Sequence, residues 1–347
     1  MAVIPPSIQF LPILWEQFKK QGIDPDNLSN EETIERAVQA GVTAIESIKE
    51  PVLGCVQADT WGFRERLFAR WGEPLYDLEF FIALSVEIGL EWHEIYRPRA
   101  AKDNDILFDV IHRLHARGCA ISQEILLLLT GGFSDGALAR WRSLHEVLVT
   151  ARFIFKHGRE TAERYYLYQY IESSKALQKY QEFAELLGYT PFSLEEENRI
   201  ETIQNDLVNQ YGSGYKDQYG WSLFALGKKG AKFSDIENDV GFDYIRPYYK
   251  MASNPVHGDP KGIYWSMGVE SDKSISAGMS NLGLANPGFL TAESLGFLNE
   301  VLLDLRPNGK NQILKSAQEK IIEDISKKFM EIHHVIIEEE KQKNQET

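Results

Sequence analysis

The chain has 347 residues, 43% of them hydrophobic and 25% charged, enough for a large core or two modest ones and suited to a soluble globular protein. Its formal net charge of −14 disfavours broad DNA binding, which needs clustered Lys and Arg against the phosphates, but leaves room for a small local RNA site. Two cysteines, Cys55 and Cys119, exclude a disulfide scaffold and a cysteine zinc site.

The opening MAVIPPSIQFLPILWEQF is apolar but carries no basic leader and is interrupted by Pro5, Pro6 and Pro12, which predicts a surface arm or short helix rather than a secretion signal. The run ILLLL at 125–129 is far too short to cross a bilayer, so no membrane association is expected and the expected location is cytoplasmic. Residues 30–50 place Ile34, Val38, Val42, Ile45 and Ile48 on one helical face behind an Asn30 cap, with Pro51 as the stop. Residues 76–96 read as an apolar central helix ending at Pro98. Further helices are expected over 104–129, 133–156 (capped by Ser134 or Asp135), 159–187 with a tyrosine-rich face, and 193–210.

Residues 211–233 hold five glycines and no sustained period, which predicts a long irregular loop serving as a lid or as plain surface. Helical patterning returns from 234, and 271–306 mixes small residues with two helical stretches. The stretch 311–340 reads as an amphipathic helix whose apolar side needs a partner surface, either its own domain or a second subunit, with a frayed tail after it. No alternating series with hairpin turns is present, so the fold class is all-α, a multi-helical bundle or array. The expected organisation is an N-terminal helical region over 1–94, a core domain over 95–310 and the C-terminal helix and tail over 311–347.

Two places carry polar residues where packing alone would not put them. Arg142, His145 and Glu146 fall at i, i+3 and i+4, so one face of the 133–156 helix is either an intrahelical ion pair or the wall of a polar cleft. In YYKMASNPVHGD, Ser253 precedes His257 by four residues, with Lys250 upstream and Asp259 just after. Pro255 and Gly258 place that histidine at a helix end, where it is a cap, a packing residue at a turn, or an acid–base group with an ordinary pKa of about 6.5. Metal ligation is disfavoured. Glu87, Glu91 and Glu94 flank His93 without the paired Glu-x-x-His motifs of a di-iron bundle, His112 and His115 have no local third ligand, and Glu331 with His334 lies in the exposed terminal helix. No phosphate loop, dinucleotide fingerprint or nucleophile elbow is present, so no cofactor is expected.

The stretch GALARWRSLHEVLVTARFI, the GW at 220–221 and FDYIRPYYKMASNPVHGDP together resemble a bacterial family of unknown function, domain-of-unknown-function family 5677, across about 95–300. The Ser…His ending is in turn similar to that of HEPN-type helical proteins, many of them metal-independent endoribonucleases of toxin–antitoxin and antiphage systems that work through an Arg-x4–6-His motif. That resemblance implies a stress or antiphage-type role. It puts His257 at proton transfer, Arg142 and Lys250 on the phosphorane, and Glu146 or Asp259 as an orienting group. Here Lys250 stands in the arginine's place, which keeps the charge and loses the bidentate fork. The functional expectation is a helical interaction, scaffold or RNA-binding module that pairs with itself or another protein through the C-terminal helix. The alternative is ribonuclease chemistry at His257.

Overall fold

The computed structural model describes residues 9–24, 26–28, 30–257, 260–264, 266–268 and 278–346, and among these every regular element is helical. A short helix, α1 (Phe10–Gln21), leads into α2, a single helix of 72 residues from Glu31 to Lys102. The expected cap at its start is present, the Asn30 side-chain Oδ1 accepting the Thr33 amide at 2.8 Å. The expected stops are not. Pro51, Pro74 and Pro98 all lie inside α2, so the division expected at 94/95 falls within one continuous helix.

What carries the helix through these prolines differs along its length. From Phe63 onward α2 buries Phe63, Leu67, Trp71, Leu78, Ser85 and Trp92 on one face against the main core, and Pro74 is buried with them. Before Phe63 its only buried residues are Ala37, Ala40 and Ala44, with Ala37 and Ala40 in a small cluster with Phe18 and Ile23. The apolar face that the periodicity marks is exposed at Ile34, Val38, Val42 and Ile45.

The centre of the molecule is formed by α3 (Ile106–Thr130), α4 (Ser134–His157) and α11 (Ala285–Asp304), packed on one another and on α2. Neither Ser134 nor Asp135 caps α4. Ser134 is buried, and the Asp135 carboxylate accepts the Ser266 hydroxyl and the Met267 amide (3.1 Å) instead. Between α4 and α11 the chain adds α5 (Arg159–Phe183), α6 (Leu194–Tyr211) behind a Ser193–Glu196 capping box, and the short helices α7 (Leu223–Leu226), α8 (Phe233–Asp239), α9 (Arg246–Ser253) and α10 (Pro260–Tyr264). The expected loop at 211–233 is built from two short 3-10 turns and α7, anchored by the buried rings of Tyr215 and Trp221. Of the two helical stretches expected in 271–306, the described residues hold one, α11; 278–284 are not helical, and 271–277 lie outside the described residues.

The last helix, α12 (Gly309–Glu346), runs antiparallel to α2, with Lys328 on Asp77 at 2.7 Å and Arg70 on Glu339 at 2.9 Å. It buries Ile325, Phe329 and Ile336, and Phe329 meets Trp71. Its apolar side therefore lies against α2 and α11 of its own chain, where the sequence left a second subunit open.

A polar seam crosses this core. The buried His115 donates from Nε2 to the Asn299 side-chain carbonyl at 2.8 Å. Asn299 donates to Ser85 at 2.9 Å and to Gln318 at 3.1 Å, and Ser85 donates to the Phe81 carbonyl. Asn299 of α11 thereby ties α2, α3 and α12 together. Burial drives the His115 pKa down to about 4, against the Asn299 hydrogen bond that raises it.

Candidate functional site

α4 turns Ala137, Leu138, Trp141, Leu144, Leu148 and Val149 into the core, as its periodicity predicts, and leaves Arg142 and Glu146 half-exposed beside α9. The i,i+4 spacing brings Arg142 Nε to Glu146 Oε1 at 3.2 Å. Two residues of α9 complete the group. Arg142 Nη1 donates to Ser253 Oγ at 3.0 Å, and its guanidinium carbon lies 4.6 Å from the centre of the Tyr249 ring. The Tyr249 hydroxyl donates to the same Glu146 oxygen at 2.5 Å, and Ser253 donates to the Tyr249 carbonyl at 2.9 Å. Every partner in this circuit is supplied by the chain. Burial raises the Tyr249 pKa, and its bond to Glu146 raises it further, so the phenol is a donor at neutral pH.

His145 is not part of that face. It is fully buried one layer deeper, its ring stacked on Trp141 and edged by Phe233 and Phe242. Its Nε2 donates to Glu237 Oε1 at 2.9 Å, while Nδ1 has no hydrogen-bond partner. Glu237 of α8 is itself fully buried, and its second oxygen takes the Arg246 guanidinium of α9. A single carboxylate thus joins a buried imidazole to a half-exposed cation.

The remaining sequence candidates stand apart from this group. α9 tightens into a 3-10 turn over Asn254–Val256, and His257 is extended at φ −109° and ψ 146°. Ser253 and His257 therefore do not share a helical face. His257 and Lys250 are exposed, and among the described residues neither makes a hydrogen bond or ion pair with Arg142, Glu146 or Ser253. Asp259 lies outside the described residues. The structure brings together Arg142, Glu146 and Ser253, and adds Tyr249, Arg246 and Glu237. Arg246, Tyr249 and Ser253 stand at i, i+3 and i+7, a spacing that marks one face of α9 from sequence. Nothing in the sequence pairs Glu237 with His145.

Glu146 also faces a cleft of about 780 Å³ between α3, α4, α5 and the 218–233 segment. Its walls are aromatic, with Tyr165, Tyr166, Tyr168, Tyr219 and Trp221, and its charged groups are Arg113, Arg117, Glu146 and Glu172. Tyr219 holds a left-handed backbone at φ 59°, unusual for a residue with a Cβ, and the next residue is Gly220. A Cβ at Gly220 would stand 2.3 Å from the Tyr215 carbonyl oxygen, so the turn closes only without a side chain there. It delivers Trp221 edge-on to Phe153 and Tyr165 at the base of the cleft. Burial raises the pKa of Tyr165 and takes that of Tyr168 up to about 12, so both phenols are neutral.

Among the described residues no three His, Cys, Asp or Glu side chains are grouped as a metal ion would need, and no helix is long and apolar enough to cross a membrane. Residues 108–275, which hold the Arg142 group and the cleft, match the model of a family of unknown function, DUF5677. No curated protein and no solved structure matches the chain.

Proposed function

We propose, for a chain that over residues 108–275 belongs to this family of unknown function, that the protein is a helical interaction module that binds in its tyrosine-lined cleft without cutting what it binds. The observation that carries the reading is the engagement of Arg142. Its guanidinium is held by Glu146 and Ser253 and covered on one face by Tyr249, so a phosphate would have to compete with three partners already in place. The cleft supplies binding chemistry in its place. Aromatic walls suit a planar group. Two guanidinia set against two carboxylates suit a neutral or zwitterionic one better than a polyphosphate.

The second reading, metal-independent RNA cleavage, is favoured by one feature: α9 links the Arg142 group to a turn at which His257 is exposed. There His257 would move the 2′-hydroxyl or leaving-group proton, with Arg142 and Lys250 on the phosphorane. One experiment separates the two. Purified full-length protein and its His257→Ala variant are incubated with total RNA in EDTA, and both RNA length and RNA retained on the protein are measured. Intact RNA with both proteins is expected; retention would mark single-stranded RNA as the occupant of the cleft. Cleavage by the wild type that His257→Ala abolishes would overturn the binding-module reading.

A further inference from the structure

The stretch of α2 before Phe63 carries an apolar face that the described residues leave bare. Ile34, Val38, Val42, Ile45, Leu53 and Val56 are each between 40% and 60% exposed. At about 100° per residue all six fall within an arc of roughly 100°. The adjoining side of the helix, at Ala37 and Ala40, is covered by α1, so α1 does not occupy this face. Leu28 and α1's own Leu11 and Trp15 are exposed too. The bare side chains present on the order of 500 Å² of apolar surface, at the upper end of what a monomer leaves in one patch.

We propose that two copies of this chain associate through this face of α2. Two such patches, with the polar side chains that flank them, bury about the 1,200 Å² at which specific interfaces begin. The spacing fits a helix partner of the same kind, since Val38, Ile45 and Val52 recur at heptad intervals and β-branched residues at such positions favour paired helices. A lipid surface is the poorer occupant. The rest of this stretch carries Glu31, Glu32, Glu35, Glu46, Glu50 and Asp59 against Arg36 and Lys49, whereas membrane-surface helices present a basic polar face. The association is independent of the cleft and of what the cleft binds.

The test is the molar mass of the full chain in solution, by light scattering and sedimentation at micromolar concentration, for the wild type and a Val38→Glu/Ile45→Glu variant. A wild-type mass of twice the 39.7 kDa of one chain, falling to one chain in the variant at unchanged helix content, is expected. A one-chain wild type overturns the proposal and leaves the face to a different occupant. A variant that stays at two chains overturns it as well, by placing the interface elsewhere. Loss of helix content in the variant would show that the two side chains are packed within the chain, which also sinks it.

Discussion

Replacing His115 by Gln removes one proton site from the core and little else. The Gln amide nitrogen falls close to where the imidazole Nε2 stands, so the donor to Asn299 is kept. The His115 pKa is about 6.5 in the unfolded chain and about 4 in the folded one, so between those values the unfolded state binds more protons. The stability that His115 contributes by staying neutral is whole above pH ~6.5 and is lost as the pH falls toward 4. At about pH 5 the difference amounts to about 2 kcal/mol relative to neutral pH, levelling off near 3 kcal/mol below pH ~4. The assay is urea unfolding followed by tryptophan fluorescence, for wild type and His115→Gln, at neutral pH and at about pH 5. The variant is expected to be less stable at neutral pH, through lost packing, yet to lose about 2 kcal/mol less than the wild type on acidification. His112, whose pKa is also lowered by burial, is present in both proteins and cancels in the comparison. Equal losses in the two proteins would refute the burial argument.

Three further outcomes are expected. Glu237→Leu strips a fully buried carboxylate from both His145 and Arg246 and should cost about 3–5 kcal/mol in chemical denaturation; a loss under about 1 kcal/mol would show that the pair contributes nothing. Arg142→Ala removes two hydrogen bonds and the contact over Tyr249 and should cost about 1–2 kcal/mol, whereas an unchanged midpoint would mean a guanidinium held in reserve for a ligand. Gly220→Ala drives a Cβ into the Tyr215 carbonyl and should cost about 2 kcal/mol or more, with Trp221 leaving its buried setting; an unchanged near-ultraviolet dichroism spectrum would contradict the close approach.

The helices α3 and α4 were legible because each turns a clear apolar stripe into the core, and a stripe at helical period is a local property. The course of α2 was not. A proline costs a helix one hydrogen bond and a steric clash, and whether it stops the helix depends on packing that local patterning does not contain. Pro74 shows this, since it is buried beside Trp71 and Leu75. The Ile34–Ile48 periodicity identified an apolar face correctly and said nothing of what covers it. Within the candidate site, the Arg142–Glu146 pair follows from one helical turn. The reach of Arg142 to Ser253 and of His145 to Glu237 spans α4 to α9 and α8, contacts that exist only once the helices pack. His257 was legible at a helix end, and its register to Ser253 was not, because the turn at Pro255 changes pitch before it ends. Residues 211–233 carry no period because two rings, Tyr215 and Trp221, anchor a chain of short turns that needs none.

The three prolines of α2 leave the carbonyls of Ser47, Arg70 and Glu94 without an amide four residues on. At Pro74 the surrounding core clamps the gap, and bending there would have to drag Trp71 and Leu75 out of register. Pro51 is exposed, in a stretch backed only by alanines. The helix spans roughly 110 Å end to end, yet its stiffness is uneven: a beam set in masonry from Phe63 on, and a cantilever with one soft joint before it. A load applied near Ile34 is absorbed as a swing about Pro51 before it reaches the packed length of the helix from Phe63 on.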